Sequence, residues 1–224
     1  MDTLTYWNGT WHEGNPPMLG PRDHAFWLGS MIFDGGRAFE GCGPDLDLHA
    51  ERVVRSARVL GLKPTKTAAE ILELMHEGVR RFGPKAELYV RPMFWPTKGG
   101  KGPISIDGES TQFALCIYVS PMRAGTPLSL GLCRTLRRPT PESAPTDAKA
   151  SCLYPNSSRG AGVKVEERTV RPAELDDADE IFTTGNAGKV QPVNRYESRD
   201  LQPGPLARQA HELYMSYSRT QRIV

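Results

Sequence analysis

The chain has 224 residues, long enough for one large or two modest cores, and its 28 lysines and arginines nearly balance 26 aspartates and glutamates, for a formal charge of +2. Basic residues are scattered without a run, which argues against a nucleic-acid partner. Met1–Trp7 lacks the basic then apolar pattern of a signal peptide and no apolar run approaches a membrane span, so a cytoplasmic protein without a membrane partner is expected.

In chain order, Tyr6-Trp7-Asn8-Gly9-Thr10-Trp11 sets aromatic residues on either side of Asn-Gly, the composition of a hairpin tip. From Leu48 to Leu62 the apolar residues Ala50, Val53, Val54, Ala57 and Leu60 fall on one helix face, and Gly61 then Pro64 end it. Thr67 and Glu70 have the spacing of a capping box, opening a second helix whose apolar face is Ile71, Leu74, Met75, Gly78, Val79 and Phe82. Leu88–Phe94 and Gln112–Ser120 read as strands, the second nearly continuous in apolar residues and so central in a sheet. Between them, Lys98-Gly99-Gly100-Lys101-Gly102-Pro103 resembles a phosphate loop only superficially, since the Walker spacing is incomplete and no helix pattern follows. It reads as a mobile surface loop.

Pro121–Pro127 is a punctuated connection. The expected organisation is therefore a small α/β domain over 1–120, a linker over 121–127 and a larger β-rich α/β domain over 128–224. The latter holds strands at Leu128–Thr135 and Glu180–Thr184 and a closing helix with Leu206, Gln209, Ala210, Leu213, Tyr214 and Tyr217 on its apolar face.

Cys42, Cys116, Cys133 and Cys152 form no Cys-x-x-Cys pair, and the five histidines share no ligand spacing, so neither a disulfide framework nor a metal site is expected. His24 reads as a packed or capping histidine. Lys149 is the chemical candidate. It is one of eight lysines, set among small and apolar residues, with Asp147 close before it and no charge in the seven positions after it. A desolvated ε-amine is a nucleophile able to form a Schiff base with an aldehyde cofactor, although a solvated surface lysine is the commoner case.

Five blocks fall in one order: Phe33-Asp34-Gly35-Gly36-Arg37-Ala38-Phe39-Glu40-Gly41; Arg52-Val53-Val54-Arg55-Ser56-Ala57-Arg58; Tyr89-Val90-Arg91-Pro92; Ala148-Lys149-Ala150 with Tyr154 and Asn156; and Thr184-Gly185-Asn186-Ala187 before Val190-Gln191-Pro192-Val193. Together they resemble the class IV aminotransferases of branched-chain type, pyridoxal phosphate enzymes of fold type IV. The resemblance implies a two-domain α/β fold and a homodimer. It also implies transfer of an amino group between a branched-chain or related amino acid and a 2-oxo acid such as 2-oxoglutarate. D-amino acid or (R)-amine transamination and aminodeoxychorismate lyase chemistry stay open within the same fold.

By this resemblance Lys149 is the Schiff-base lysine and the proton carrier, Arg52 holds the cofactor phosphate, Asn186 and Ala187 form a phosphate-binding turn, and Tyr154 bonds the cofactor's phenolic oxygen. Phe33, Arg37, Tyr89 and Arg91 match positions on the substrate side. Structural ion pairs serve Arg37 and Arg91 equally well on sequence grounds.

One departure stands out. After Arg159 the chain runs at once into Gly160–Thr169, which resembles a strand that family members reach only after several further elements. Glu166 and Glu167 do not match the acid that pairs with the pyridine nitrogen. A segment of the second domain is therefore expected to be missing near 159–162, either omitted or deleted. A truncated, inactive dimerising protein is the reading of another class.

Overall fold

In the computed structural model, which describes residues 1–102, 104–122, 128–131, 139–154, 172–186 and 188–224, strands β1 (Thr3–Trp7) and β2 (Thr10–Glu13) form the hairpin expected around Asn8-Gly9. Asn8 and Gly9 have φ of 50° and 82°, the left-handed backbone that a tight two-residue turn requires. Two short strands follow, β3 (Ile32–Phe33) and β4 (Gly36–Ala38), after helix α1 (His24–Leu28). Both pair antiparallel with β5 (Leu88–Pro96), which pairs along its whole length with β6 (Thr111–Val119), and β6 in turn pairs with β1.

Two helices cover one face of this sheet. Helix α2 (Leu46–Val59) starts and stops earlier than its apolar spacing suggests, because its end is a Schellman motif. Gly61 (φ 81°) donates to the Arg58 carbonyl and Leu62 to that of Ala57, which buries Leu62 beneath the helix end. Helix α3 (Ala68–Arg80) opens on the capping box. The Thr67 hydroxyl accepts from Glu70 N–H at 3.2 Å, and the Glu70 carboxylate accepts from Thr67 N–H at 2.7 Å. Val53, Ala57, Ile71, Met75 and Val79 of the helices pack on Leu88, Val90, Phe94, Leu115 and Ile117 of the sheet, all buried.

Gly78 sets how closely α3 approaches. A Cβ there would lie 2.4 Å from Ile117 Cδ1 and 2.6 Å from Trp11 Cη2. Gly78→Val should therefore destabilise the protein by about 1–3 kcal/mol through overpacking, measured as a lower urea midpoint at unchanged slope. An unchanged midpoint would show that the interface yields.

Strand alternation sends Tyr89, Arg91, Met93 and Trp95 to the face away from these helices, with Ala114, Cys116 and Tyr118 of β6 alongside. Trp95, Ala114 and Ala25 form a small cluster there.

A second unit is built on β9 (Lys189–Tyr196), which pairs antiparallel with β8 (Ile181–Gly185) and β10 (Arg199–Asp200) and parallel with β7 (Leu128–Leu130). Val193, Tyr196 and Leu201 are its buried centre, flanked by Leu175 of the short helix α4 (Pro172–Asp176). Helix α5 (Pro205–Ser218) shows a different inner stripe from the one expected. Leu206 and Leu213 are 62% and 64% exposed, whereas Ala207 and Ser218 are buried and Ala210 and Tyr214 are half-buried. Small residues allow that side the closer approach, and the Glu180 carboxylate accepts from the Leu206 and Ala207 N–H groups at the helix start.

The units interleave along the chain. The first comprises Met1–Pro121, Pro139–Pro155 and Gln221–Val224, and the second the described residues of Met122–Arg138 and Asn156–Thr220. The Lys149 segment, expected in the second domain, thus belongs to the first unit. Long-range main-chain bonds hold it there: Phe33 N–H donates to the Lys149 carbonyl at 3.2 Å and Ser151 N–H to that of Met31 at 2.8 Å.

Candidate active site

Five residues of the first unit are tied into a closed ring of contacts. Phe33 N–H donates to the Lys149 carbonyl, Lys149 N–H donates to Ser56 Oγ at 3.1 Å, and Ser56 lies one α2 turn after Arg52. Arg52 in turn grips Asp34, the residue after Phe33. Its Nε lies 2.6 Å from Oδ2 and its Nη2 2.7 Å from Oδ1, a fork-on-carboxylate pair.

The Lys149 amine donates to the Tyr154 hydroxyl and stands 4.5 Å from the Phe33 ring centre and 4.7 Å from that of Tyr154. The two rings are themselves in contact at 5.0 Å. Three residues singled out in the sequence thus meet at one amine. Cation and aromatic faces attract, and the rings displace water from two sides of the nitrogen.

Asp34 is fully buried and accepts from its neighbour Gly35 N–H, from Arg52 and from His49 Nδ1 at 2.8 Å. Burial pushes its carboxyl up, but the hydrogen bonds and charges of Arg52 and His49 outweigh that and hold it at about 2, from an ordinary 3.8. Gly35 and Gly36 are required beside it. A Cβ on Gly35 would fall 2.0 Å from the Tyr89 hydroxyl, and one on Gly36 would fall 2.4 Å from Leu46.

That contact places Tyr89 over the same loop. Tyr89 stacks on Tyr118 at 5.5 Å, and the Arg91 guanidinium lies 5.1 Å from the one ring and 5.2 Å from the other while donating to the Tyr118 hydroxyl. Burial raises the Tyr89 hydroxyl above its ordinary value against the lowering pull of Arg91. Arg37 is buried, donates to the Ser120 carbonyl and lies 5.3 Å from the Tyr89 ring. Arg91 Nε is buried without a hydrogen-bond partner, so this cation keeps a donor to offer.

Asn186 lies in the second unit, on the turn between β8 and β9, and its Oδ1 accepts from Lys189 Nζ at 3.0 Å. Ala187 lies outside the described residues, as do Glu166 and Glu167. Asp34, His49 and Ser56 were not singled out by sequence reasoning. Asp34 stands inside a quoted block, and His49 and Arg52 share a helix face at i, i+3, so a search for an acid partner to Arg52 could have found the group.

The amino-transferase class IV family matches residues 31–159, more than half of the chain. An aminotransferase from Brucella abortus, solved bound to the cofactor PLP, is 33% identical and superposes with a TM-score of 0.90, covering 98% of this chain and 100% of that one. A probable branched-chain-amino-acid aminotransferase of Rickettsia typhi is 30% identical over 134 residues, 58% of this chain and 45% of the relative. Aminodeoxychorismate lyase of Bacillus subtilis is 38% identical over 72 residues, 32% of this chain and 25% of that protein. The chain thus spans less than half the length of these curated relatives.

The segment expected to be missing near 159–162 finds no support in these comparisons, because the Brucella chain is matched from end to end in the same fold. Resemblance to a later strand after Arg159 was too weak a local signal to imply a gap, and residues 155–171 lie outside the described set. The chain belongs to the class IV aminotransferases and has the α/β fold type IV architecture of pyridoxal phosphate enzymes.

Proposed function

We propose that this protein is a pyridoxal phosphate-dependent transaminase that moves an amino group between a branched-chain amino acid and a 2-oxo acid such as 2-oxoglutarate, working as a cytoplasmic homodimer. The observation that carries the reading is Lys149, an amine held between two aromatic rings with a phenolic hydroxyl at its nitrogen. The donor set suits the cofactor: an amine for the aldehyde, a phenol for the phenolic oxygen, and an oriented guanidinium for the phosphate.

When bound, pyridoxal phosphate supplies an aldehyde that takes the amine and a conjugated ring that withdraws electrons from the substrate carbon. Lys149 Nζ would anchor the cofactor through its aldehyde and would carry the proton from the substrate's reacting carbon to the cofactor carbon that takes up the amino group. The Tyr154 hydroxyl orients that nitrogen, and the Phe33 ring shields it from water. Arg52 holds the phosphate. Tyr89, Arg91 and Arg37 form a cationic and aromatic surface suited to a substrate carboxylate beside an apolar side chain.

The likeness to a branched-chain aminotransferase supports this choice of substrate, and the shorter likeness to aminodeoxychorismate lyase makes that reaction a necessary control. Purified holoenzyme should transfer nitrogen from L-leucine to 2-oxoglutarate faster than from D-leucine or an (R)-amine, and should release no pyruvate from aminodeoxychorismate. Turnover of D-leucine, an (R)-amine or aminodeoxychorismate with L-leucine inert would overturn the substrate assignment. Inertness towards all four would favour the non-catalytic reading.

A further inference from the structure

Resting on the reading above, we propose that Asp34 is a positioning residue for the cofactor phosphate, acting through Arg52. A guanidinium is a rigid plane with five N–H donors. Asp34 takes Nε–H and one Nη2–H along one edge, at 2.6 and 2.7 Å, so the plane can no longer rotate and the direction of its outer edge is fixed. The burial of the two partners differs sharply. The Asp34 side chain is 0% exposed and that of Arg52 is 42% exposed, so the carboxylate serves as an internal anchor for a cation that reaches the surface, and His49 Nδ1 stands 3.2 Å from Arg52 Nη2 beside it.

The anchor is itself held rigidly. Gly35 N–H and His49 Nδ1 bond the same carboxylate, so four hydrogen bonds converge on it. Its location also separates it from an ordinary structural ion pair. Asp34 directly follows Phe33, whose ring faces the Lys149 amine, and Arg52 lies one helical turn before Ser56, which bonds the Lys149 backbone. An arginine fixed in this way meets a phosphate with its plane already oriented, and binding does not have to freeze a flexible side chain.

Apo-protein is titrated with pyridoxal phosphate and, separately, with pyridoxal, which lacks the phosphate. Uptake on Lys149 is followed by absorbance and confirmed by mass after borohydride reduction. Asp34→Asn should weaken pyridoxal phosphate binding about tenfold or more and leave pyridoxal binding unchanged, and it should add nothing further in an Arg52→Ala background. Arg52→Lys should lose the same preference although it keeps the charge, because an ammonium is a point donor that cannot span acid and phosphate. Circular dichroism and melting of each apo-variant report folding, and the half-exposed Arg52→Lys carries the test if Asp34→Asn does not fold. Equal losses for both ligands, an unchanged preference in both variants, or a full Asp34→Asn effect without Arg52 would overturn the proposal. Failure of the wild type to take up either ligand would overturn the transaminase reading with it.

Discussion

Lys149→Ala is expected to abolish the borohydride-trapped cofactor adduct and lower amino transfer by at least about 10⁴-fold, because in the proposed mechanism one side chain supplies both nucleophile and proton carrier. The fold should hardly notice. The amine contributes one hydrogen bond to an exposed hydroxyl and two cation–ring contacts, worth together on the order of 1 kcal/mol, while the segment itself is held by the main chain. Intact mass after reduction measures the first effect and urea unfolding the second. A variant that still acquires one reducible adduct would remove Lys149 from its role, and one that unfolds would show the lysine to be structural.

Arg52→Leu should give the opposite pattern, a large loss of stability in the protein without cofactor. It leaves the wholly buried Asp34 carboxylate without its principal partner, and breaking a buried pair from one side costs about 3–5 kcal/mol. The pH dependence carries a sign that identifies the cause. With Arg52 present the Asp34 carboxyl sits at about 2, below its ordinary 3.8, so the pair's contribution is full above 3.8 and is lost as pH falls through 2. With Arg52 gone, its hydrogen bonds and charge no longer oppose burial and only His49 still does, so the carboxyl moves up and protonation relieves the variant. The stability difference between wild type and variant should therefore narrow as pH is lowered from neutral towards 2. Parallel curves would mean that the carboxylate is not the group responsible.

Much of the first unit was legible because its signals are local. Thr67 and Glu70 cap a helix within a single turn, Asn8-Gly9 is a hairpin in two residues, and the Val53–Ala57 and Ile71–Val79 spacings mark the faces that are in fact buried. The α5 stripe was legible only at Ala210 and Tyr214, because its most buried positions are the small Ala207 and Ser218, where hydrophobicity is weakest and closeness of approach decides.

At the site, Lys149 and Tyr154 lie five residues apart and Phe33 is part of a conspicuous block, so they could be named. Their supports are harder to read: Ser56 reaches Lys149 across 93 residues, and Asp34 reaches Arg52 across 18, a pair that only a search for an acid partner to Arg52 would raise. Nothing in composition or periodicity encodes such pairings. The organisation of the chain shows the same limit: Pro121–Pro127 has the composition of a boundary and the first unit breaks at Pro121, but the return of Lys149 to that unit is written only in contacts with Met31, Phe33 and Ser56.

The interleaving of the two units bears on the order in which the site can be assembled. Every strand of the first sheet lies between Thr3 and Val119, so on the ribosome the scaffold is complete in sequence before Lys149 has been translated. The Lys149 segment reaches a surface that can already exist, and it docks as an added strip bonded on both sides of the lysine. Sheet and lysine segment are separable parts of one chain, and the Lys149 amine need not be present while the sheet forms.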